Sequence, residues 1–553
     1  MLFINIMNNL YVPQSVKVKV NLQPIDFGPN YEKKIRDRVI EQYGDRCYIN
    51  GFIKKSSIEI LKIENGRREG SHLHGFLTFV VEFSALFCIP KQDTLIHCHV
   101  VKVNKFGIMA QAYPIDIIVP RQLQSLPGND IDKLKNLRGG EMIYVKTLQY
   151  TIENNRLIVV GFITDISQDK PNTVELPNDG FEMPYHVHLV YGDQKPIPSE
   201  RLGTGDKLIQ LKEKIIPYKK LWGLIESMIT PYQLIDRYLS TATNYIQYNQ
   251  FTAVYDPYSL YPVFDQSYFK LWELLVDVGV LDKFINQPLK MATLNEGPNG
   301  FIQCLLDFRN RQHSREWKDD TYYMVAPKGD SVEEKKYLEM MMSNGYQINQ
   351  SSGTSLQVGD DKCHLITADG GVDLNDNSTH ELGNAKLFYT EILMALTNQD
   401  EGGVLIIKIY DIYYDLTLQL IYLLSAYYNH MVLIKPHTSR PTNSEKYVVC
   451  SDFRGIEQEQ LDQLSQLMTQ WTQLGTVHIS HVLDVKQLPD SQMIHNIIGF
   501  NRYNTELQMD TINEGLELID GQYRNAGVKD EYLTEQKLTL KKWCDKYGLP
   551  YVK

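Results

Sequence analysis

Four charged residues in the C-terminal two-thirds of the chain have the types needed to activate a weak hydroxyl nucleophile. Lys270, Asp369, Lys408 and Glu445 lie in four separate segments: FDQSYFKLWELL, HLITADGG, GGVLIIKIYD and SRPTNSEKYVVC. An amine held near neutral pKa can take the proton of a sugar hydroxyl, and carboxylates beside it can orient that amine. We therefore expect these side chains to meet in one catalytic site, although they are far apart in the sequence.

Lys408 gives the strongest local signal, because it lies inside the apolar run VLIIKIY. A buried lysine in a strand is costly unless it is paired, and desolvation lowers its pKa. The alternative is an edge lysine whose amine reaches solvent. Taken singly, Asp369 could cap a turn before two glycines, and Lys270 could lie on a solvated helix face. We predict that Lys408 is the general base, that Asp369 and Lys270 adjust its pKa, and that Glu445 anchors Lys270 or the sugar.

A glycine-rich turn, EGPNGF at residues 296–301, follows a predicted strand and precedes a predicted helix. Gly297 and Gly300 would let the backbone approach a ligand closely, and the helix start offers free N–H groups. An ordinary strand-to-helix corner is the alternative. The full GxGxxG pattern of dinucleotide sites is absent, which favours a smaller nucleoside ligand such as S-adenosylmethionine.

The elements that must position these residues alternate between strands and helices from residue 291 onward. The strands are MATLNEG, TYYMVAP, KCHLITAD, GGVLIIKIY, HMVLIKP and KYVVCS, and LFYTEILMALTNQ and LTLQLIYLLSAYYN are intervening helices. This order predicts a Rossmann-like, doubly wound α/β sheet with mostly parallel strands. Asp369 would follow the carboxyl end of one strand, where such sheets bind ligands.

The first part of the chain is rich in short β-type segments and contains one charged helix, NYEKKIRDRVIEQYG, with Ile35, Val39 and Tyr43 on one face. NKFG predicts a tight turn in which Gly107 takes positive φ, and GEMIYVKTLQYTIENNRLIVVGFI predicts a hairpin that turns at NNR. We expect an α+β region followed by an OB-type β-barrel.

The predicted fold is therefore multidomain. The expected parts are an α+β domain at 1–81, an OB-type domain at 82–165, a linker rich in Pro, Asp and Asn at 166–204, an α/β domain at 205–451 and a helical extension at 452–553. No chemistry is predicted for the extension.

Bulk properties agree with an intracellular, RNA-handling protein. The chain has 553 residues, too many for one ordinary core. Its seven dispersed cysteines form no CxxC pair, which favours reduced thiols in the cytoplasm. No apolar run is long enough to span a membrane, and the N-terminus does not read as a signal peptide. Net charge is −11, but residues 1–165 hold 21 Lys and Arg against 16 Asp and Glu, so RNA contact would depend on local patches.

Two further residue patterns have ordinary explanations. The i, i+2 histidine pairs would suit zinc, but no third and fourth ligands are spaced sensibly, so no metal is predicted; the pairs are His72/His74, His97/His99 and His186/His188. Five tyrosines precede Lys270 and could stack on bases or a methylated guanine, although core packing is commoner; they are Tyr245, Tyr248, Tyr255, Tyr258 and Tyr261.

Residues about 255–450 resemble the FtsJ-like ribose 2′-O-methyltransferases, most closely their mRNA cap branch in cells and large DNA viruses. The resemblance is carried by YFKLWEL, LNEGPNGF, ITADGG, GGVLIIKIYD and KPHTSRPTNSEKYVV, in this order. It implies a cap-specific mRNA 2′-O-methyltransferase with S-adenosylmethionine as cofactor and capped mRNA as substrate. Lys270, Asp369, Lys408 and Glu445 would occupy the family's catalytic tetrad.

The same resemblance implies a set of cofactor contacts. They are Glu296, Gly297, Pro298, Asn299, Gly300, Phe301, Ala326, Lys328, Asp360 and Asp369. Asn299 departs from the small residue usual in this loop. Lys328 belongs to the segment Ala326-Pro327-Lys328-Gly329, which is similar to one bordering the cofactor, and Asp360 would face the adenine.

The first part of the chain has a strand, a charged helix, an apolar run at 78–88 and then VVKVNKFGIMAQAYPIDIIVP. On this pattern, residues about 15–165 resemble a different family, the stalk subunit of multisubunit RNA polymerases that carries an S1-like OB domain. The combination implies a large DNA virus with its own transcription apparatus, located in the host cytoplasm or the virion. Partners would be RNA polymerase subunits or other capping enzymes. Two alternatives remain: a stalk-like subunit whose methyltransferase fold is a non-catalytic platform, and a methyltransferase acting on ribosomal or transfer RNA.

Overall fold

The chain divides into two compact units, Met1–Pro171 with Pro489–Tyr503 and Asn172–Leu488 with Asn504–Lys553. The computed structural model describes residues 10–23, 26, 28, 31–67, 77–121, 137, 141–166, 172–177, 181, 183, 187–203, 205–235, 246–249, 254–257, 263–285, 287–295, 300–312, 319–326, 332–352, 356, 358, 362–371, 380–474, 478–483 and 491–549.

The first unit begins with a five-stranded antiparallel sheet and one helix. The strands are β1 (Tyr11–Leu22), β2 (Arg46–Tyr48), β3 (Gly51–Ile53), β4 (Glu59–Ile63) and β5 (Leu77–Cys88); the helix is α1 (Tyr31–Tyr43), and Lys55–Ser57 forms a 3-10 turn. The helix buries Ile35 and Val39, which confirms the predicted apolar face. β5 pairs with β1 from Cys88 to Leu77 as one continuous strand. The domain boundary predicted between residues 81 and 82 therefore falls inside a strand, and the first sheet ends only after Cys88.

Five further strands close into a barrel. They are β6 (Leu95–Asn104), β7 (Gly107–Ala112), β8 (Ile115–Pro120), β9 (Met142–Glu153) and β10 (Arg156–Ile166), in the order β10-β8-β7-β6-β9. The predicted β9–β10 hairpin is present and turns at Asn154 and Asn155, both at positive φ, whereas Arg156 of the predicted NNR turn already pairs with Glu153. Gly107 has φ 152°, and a Cβ there would collide with the carbonyl of Val119, so the β6–β7 turn needs glycine.

The second unit contains twelve strands among its described residues. They are β11 (Thr173–Glu175), β12 (Val190–Gly192), β13 (Ile246–Asn249), β14 (Val254–Pro257), β15 (Lys290–Leu294), β16 (Thr321–Ala326), β17 (Gln347–Ser352), β18 (Cys363–Ala368), β19 (Gln399–Ile409), β20 (Tyr428–Ile434), β21 (Lys446–Phe453) and β22 (His478–His481). Eight form one sheet in the order β11-β20-β21-β19-β18-β15-β16-β17, while β12 pairs with β22 and β13 with β14.

The main sheet is parallel from β17 to β19 and antiparallel where β21 and β20 join it. In this register Leu294 lies beside both Val325 and Ala368. The carboxyl ends of β15, β16 and β18 therefore share one edge, and the segments that follow these strands start there.

Ten helices follow α1 among the described residues; the last but one of them begins in the first unit and ends in the second. They are α2 (Asp206–Glu213), α3 (Lys219–Ile229), α4 (Ser267–Val278), α5 (Gly300–Gln312), α6 (Val332–Ser343), α7 (His380–Asn398), α8 (Asp415–Ser425), α9 (Gln458–Gln473), α10 (Gln492–Glu517) and α11 (Ala526–Tyr547); Ile216–Tyr218 and Asp282–Phe284 are 3-10 turns, and Leu518–Gln522 is a π-helical segment. Among the described residues, none of these helices has both the length and the apolar character that crossing a bilayer requires.

Two predicted parts are less separate than expected. β11 and β12 lie within the predicted linker at 166–204, yet β11 extends the main sheet beside β20 and β12 pairs with β22. The predicted extension at 452–553 shares the core of the α/β domain, because Leu540, Trp543 and Tyr547 pack in one cluster with residues of α4, α5 and the sheet. Sequence reading missed these contacts because the partners are far apart along the chain.

Candidate active site

The four charged residues identified in the sequence lie together as two ion pairs. Lys270 Nζ is 2.7 Å from Glu445 Oε1, and Lys408 Nζ is 3.1 Å from Asp369 Oδ1. Lys408 also donates to the backbone carbonyl of Asp369 at 2.5 Å. The four side chains are 8–15% exposed, so the charges are held mostly away from water but remain accessible.

The sheet explains this convergence. Asp369 directly follows β18, Lys408 is the next-to-last residue of β19, and Glu445 directly precedes β21. β19 lies between β18 and β21, and its Lys408 is opposite Tyr447 of β21. The end of β18, the end of β19 and the start of β21 therefore meet at one edge, and α4 brings Lys270 to it.

Tyr447 joins the two pairs, and sequence reasoning did not identify it. Its hydroxyl lies 2.8 Å from Asp369 Oδ1 and 2.9 Å from Glu445 Oε1. A phenol carries one proton, so it can donate to only one of these acids at a time. The signal was present in the sequence, because Glu445 and Tyr447 are two residues apart around the start of a strand and so point to the same side.

Electrostatics assigns different roles to the two acids. Burial would raise the pKa of Glu445, but the amines of Lys270 and Lys408 outweigh it and lower the pKa to about 2. Burial raises the pKa of Asp369 above its usual value, and Lys408 only partly opposes this. Glu445 is therefore firmly ionised, whereas Asp369 is the acid that takes a proton more readily.

The pKa of Lys408 differs from the prediction. Burial alone would lower it, as expected for a strand lysine, but the charges of Asp369 and Glu445 reverse the effect and raise the pKa. With both carboxylates ionised, the Lys408 side chain is an ammonium ion. A neutral amine requires that Asp369 first lose its charge.

A third buried acid, Glu391 on α7, fixes the backbone next to Asp369. Its Oε1 accepts from Asn295 Nδ2 at 2.8 Å, and Gly370 donates its N–H to the same carboxyl group. Burial raises the pKa of Glu391 to about 8. This acid therefore holds the end of β18 against the end of β15 without adding a full negative charge near neutral pH.

Two further lysines brace the segment that carries Glu445. Lys435, fully buried, donates to the carbonyls of Asn443 and Glu445 at 2.5 and 3.1 Å. Burial lowers its pKa to about 7. Lys446 donates to the carbonyl of Ser444 at 2.7 Å. Both amines satisfy backbone acceptors; the charge of Lys435 also helps to lower the pKa of Glu445, and Lys446 lies 3.5 Å from Asp411 Oδ1.

A small, partly open cleft is lined in part by Lys408. Gly370, Glu391, Tyr410 and Phe388 contribute to its lining. A Cβ on Gly371 would collide with the hydroxyl of Tyr410 and come within 3.5 Å of the Lys408 amine. The glycine therefore lets the Tyr410 hydroxyl pack close to the backbone beside Lys408.

The predicted cofactor contacts are only partly within the described residues. Glu296, Gly297, Pro298, Asn299, Lys328 and Asp360 lie outside them. Gly300 begins α5, and a Cβ there would collide with Ser267 and the N–H of Tyr268, so only glycine permits this approach of α5 to α4. Phe301 is fully buried with its ring 6.2 Å from that of Tyr447, so its side chain serves the core and only its backbone could face a ligand.

The fit to S-adenosylmethionine depends on this edge of the sheet. Ala326 ends β16 and Asp369 follows β18, on either side of β15, whose end leads toward the helix start at Gly300. Adjacent parallel strand ends beside a helix start offer backbone N–H groups and carboxylates, which suit a charged nucleoside. The residues present are therefore compatible with this cofactor.

The histidine pairs have structural surroundings where they are described. His97 stacks on Tyr144 with ring centroids 4.5 Å apart. His99 is buried, which lowers its pKa to about 3, so its ring is neutral. His72, His74 and His186 lie outside the described residues, as do Tyr245, Tyr258 and Tyr261; for Tyr248 and Tyr255 only the backbone is described.

Comparison with known proteins finds a family match over the segment that contains the four charged residues. Residues 264–453 match the family model described as FtsJ-like methyltransferase. The cap-specific mRNA (nucleoside-2′-O-)-methyltransferase 1A of Caenorhabditis briggsae is 30% identical over 154 residues, covering 27% of this chain and 16% of that protein. A second protein of this nematode, named inactive cap-specific mRNA (nucleoside-2′-O-)-methyltransferase 1B, is 31% identical over 138 residues. The match covers 24% of this chain and 15% of that protein.

A viral protein is also similar. The probable methyltransferase EP424R of African swine fever virus is 40% identical over 87 residues, covering 16% of this chain and 20% of that protein. The chain thus spans a fifth or less of the length of these relatives. Together the matches define an FtsJ-like methyltransferase domain in this chain, homologous to the cap-specific mRNA 2′-O-methyltransferases.

Proposed function

We propose that this chain methylates the 2′-hydroxyl of a ribose in capped mRNA, with S-adenosylmethionine as methyl donor. The observation that supports it most is the meeting of Lys270, Asp369, Lys408 and Glu445 as two bridged ion pairs within the matched domain. A ribose hydroxyl needs both precise orientation and removal of its proton, and such a cluster can supply both.

In this proposal the bound cofactor supplies an electrophilic methyl group on a sulfonium. The chain's residues then prepare the hydroxyl. Lys408 donates a hydrogen bond that orients the ribose oxygen, and Glu445 holds Lys270 beside it. Entry of RNA displaces water, which favours the neutral forms of a buried ion pair. A proton then moves from Lys408 to Asp369, and the resulting amine accepts the proton of the 2′-hydroxyl. The bound cofactor would give up its methyl group to that oxygen, its C–S bond breaking so that S-adenosylhomocysteine leaves.

The test measures methyl transfer to short RNAs that carry or lack a cap, with the modified nucleotide identified by mass spectrometry. We expect 2′-O-methylation of the capped RNA only. Lys408→Ala should abolish transfer while leaving cofactor affinity, measured by calorimetry, within about twofold, since the site loses its base and not its cofactor loop. Lys362→Ala, at the opposite end of β18, is the matched control and should retain activity. Full activity of Lys408→Ala would contradict the proposed role.

The second candidate is a non-catalytic platform, and the relative named inactive gives it a specific basis. The two readings differ in cofactor use. A platform would transfer no methyl group to any RNA, whereas the proposed enzyme transfers it to capped RNA. Equal methylation of ribosomal or transfer RNA fragments, unaffected by cap analogue, would instead favour a methyltransferase for those RNAs.

For the N-terminal barrel we propose an OB-type module that binds the RNA during transcription. Its outer surface carries Phe106, which is 75% exposed, with the Lys105 amine 5.1 Å from the ring centroid. Exposed Met109 lies between Lys102 and Ile118 on the neighbouring strands. Exposed aromatic and basic side chains on a barrel suit stacking on single-stranded bases.

This module is tested in the full chain by fluorescence anisotropy with a labelled single-stranded RNA. Phe106→Ala should weaken binding by about 1–3 kcal/mol, the usual value for one lost base stack. Leu61→Ala, which removes another exposed apolar side chain of the same unit, should have no effect. If Phe106→Ala binds RNA as tightly as the wild type but no longer binds a multisubunit RNA polymerase, the barrel is a polymerase-docking module and the proposed RNA binding is contradicted.

A further inference from the structure

The end of the loop that carries Glu445 is held by contacts within the loop itself. We call it the Lys435–Glu445 loop; it joins β20 to β21. The contacts of Lys435 with the carbonyls of Asn443 and Glu445 close this loop on itself. Its position relative to α4, which carries Lys270, therefore depends on contacts made elsewhere along the loop.

Glu273 provides such a contact. It lies on α4 three residues after Lys270 and is 1% exposed. Its Oε2 accepts the N–H of His437 at 2.6 Å, and its Oε1 accepts the N–H of Thr438 at 2.8 Å. Helix α4 therefore holds the start of the loop through Glu273 and the end of the loop through the Lys270–Glu445 pair.

Trp543 completes the coordination of this buried carboxylate. Its indole N–H donates to Glu273 Oε1 at 2.8 Å, and its ring packs edge-on against Phe269 with centroids 5.7 Å apart. Burial raises the pKa of Glu273 to about 7 although these donors oppose it, so the ionised form needs every donor it has. Trp543 belongs to α11, outside the segment 264–453 that matches the family.

We propose that Trp543 is a positioning residue for the proposed methyl transfer: its indole N–H holds the Glu273 carboxylate in the orientation that fixes the Lys435–Glu445 loop and thereby sets the Lys270–Glu445 pair. The inference rests on the proposed function for its effect on catalysis. The C-terminal helix α11 is then part of the catalytic apparatus. A misplacement of about 1 Å at a reacting centre can lower the rate by roughly a hundredfold.

The test compares two substitutions between the same pair of helices. Trp543→Phe keeps an aromatic ring and removes the donor to Glu273. Trp272→Phe is the matched control, because its indole N–H donates across the same helix contact to the carbonyl of Tyr547 at 3.0 Å, whereas that of Trp543 donates to Glu273. We expect Trp543→Phe to lower kcat by about 10- to 100-fold with little change in KM for cofactor, and Trp272→Phe to change kcat less than about twofold.

A second measurement does not depend on catalysis. Amide hydrogen exchange of the full chain reports the N–H groups of His437 and Thr438 directly. Trp543→Phe should speed exchange in the Lys435–Glu445 loop at least tenfold, and Trp272→Phe should not. Glu273→Gln serves as the second variant, because its amide opposes one of the two N–H groups and should release the loop in the same way.

The two measurements separate the two proposals. If Trp543→Phe speeds exchange in the Lys435–Glu445 loop but the wild-type chain transfers no methyl group, the proposed function is overturned, while the role of Trp543 in holding the loop is supported. Unchanged exchange and unchanged kcat in Trp543→Phe would overturn the positioning role while the enzyme assignment survives. If Trp543→Phe does not fold, unchanged loop exchange in Glu273→Gln gives the same refutation. An equal loss of kcat in Trp543→Phe and Trp272→Phe would overturn the positioning role, because it would mean that α11 contributes only general packing.

Discussion

Tyr447→Phe is the sharpest single test of the bridged ion pairs, because it removes one oxygen atom and keeps the ring. That oxygen lies 2.8 Å from Asp369 and 2.9 Å from Glu445. Only one of these contacts can be donated by the phenol at a time, so the loss amounts to one hydrogen bond to a charged group, about 1.5–3 kcal/mol. If this whole free-energy loss raises the activation barrier, kcat falls by about 10- to 150-fold.

The assay is steady-state methyl transfer to capped RNA, together with urea unfolding of the same preparation. Tyr428→Phe is the matched control, since it removes another buried phenol of the same sheet whose partner, Gln399 at 3.2 Å, is uncharged and away from the ion pairs. That variant should lose about 0.5–1.5 kcal/mol of unfolding free energy and keep its kcat. A Tyr447→Phe enzyme with kcat within twofold of the wild type would refute the bridge as a working part of the site.

Three other substitutions test separate features. Gly371→Ala should lower kcat several-fold with little loss of stability, measured by methyl transfer and thermal unfolding, because its Cβ displaces the hydroxyl of Tyr410 beside the Lys408 amine; an unchanged kcat would mean that the position of this hydroxyl does not matter for the reaction. Burial raises the pKa of Glu391 to about 8, so its contribution to stability is complete below the pKa of the unfolded chain and is lost as pH rises through 8. Glu391→Gln should therefore flatten the fall in unfolding free energy between the unfolded pKa and pH 8. An unchanged slope would contradict the raised pKa of Glu391. Arg309→Leu should cost about 3–5 kcal/mol in urea unfolding, since it leaves Asp320 buried without its 2.8 Å partner; a loss below 1 kcal/mol would mean that Asp320 is solvated.

Local signals in the sequence were sufficient for several elements. The apolar run around Lys408 predicted a buried strand, and β19 contains it. The segment NNR predicted a hairpin turn, and the turn consists of its two asparagines, while Arg156 already begins the next strand. In each case the physical cause lies within a few neighbouring residues, so a single sequence carries the information.

Other features depend on distances that only the fold creates. The pKa of Lys408 was expected near neutral from burial alone, but its direction is decided by Asp369 and Glu445, which the sheet brings beside it. The boundary expected near residue 81 failed because β5 is 12 residues long and pairs with β1 throughout. A strand of that length is not distinguishable from two shorter ones by alternation alone.

Helix α11 could be predicted from the sequence only in part. Its buried residues Gln536, Leu540, Trp543, Cys544 and Tyr547 recur at helical spacing, so a sequence can predict an apolar face. The surface that this face covers cannot be predicted in the same way. Its partner, α4, lies more than two hundred residues earlier in the chain, and only the folded structure joins Trp543 to Glu273.

The pairing of charges explains how a buried site can hold four ionisable side chains and still move a proton. Two amines and two carboxylates sum to zero, so the cluster avoids the desolvation cost of an isolated buried charge. Transfer of one proton from Lys408 to Asp369 keeps that sum at zero while converting an ammonium into a base. Glu445 cannot play this part because Lys270 holds its pKa at about 2, so the asymmetry between the two acids determines which amine becomes the base.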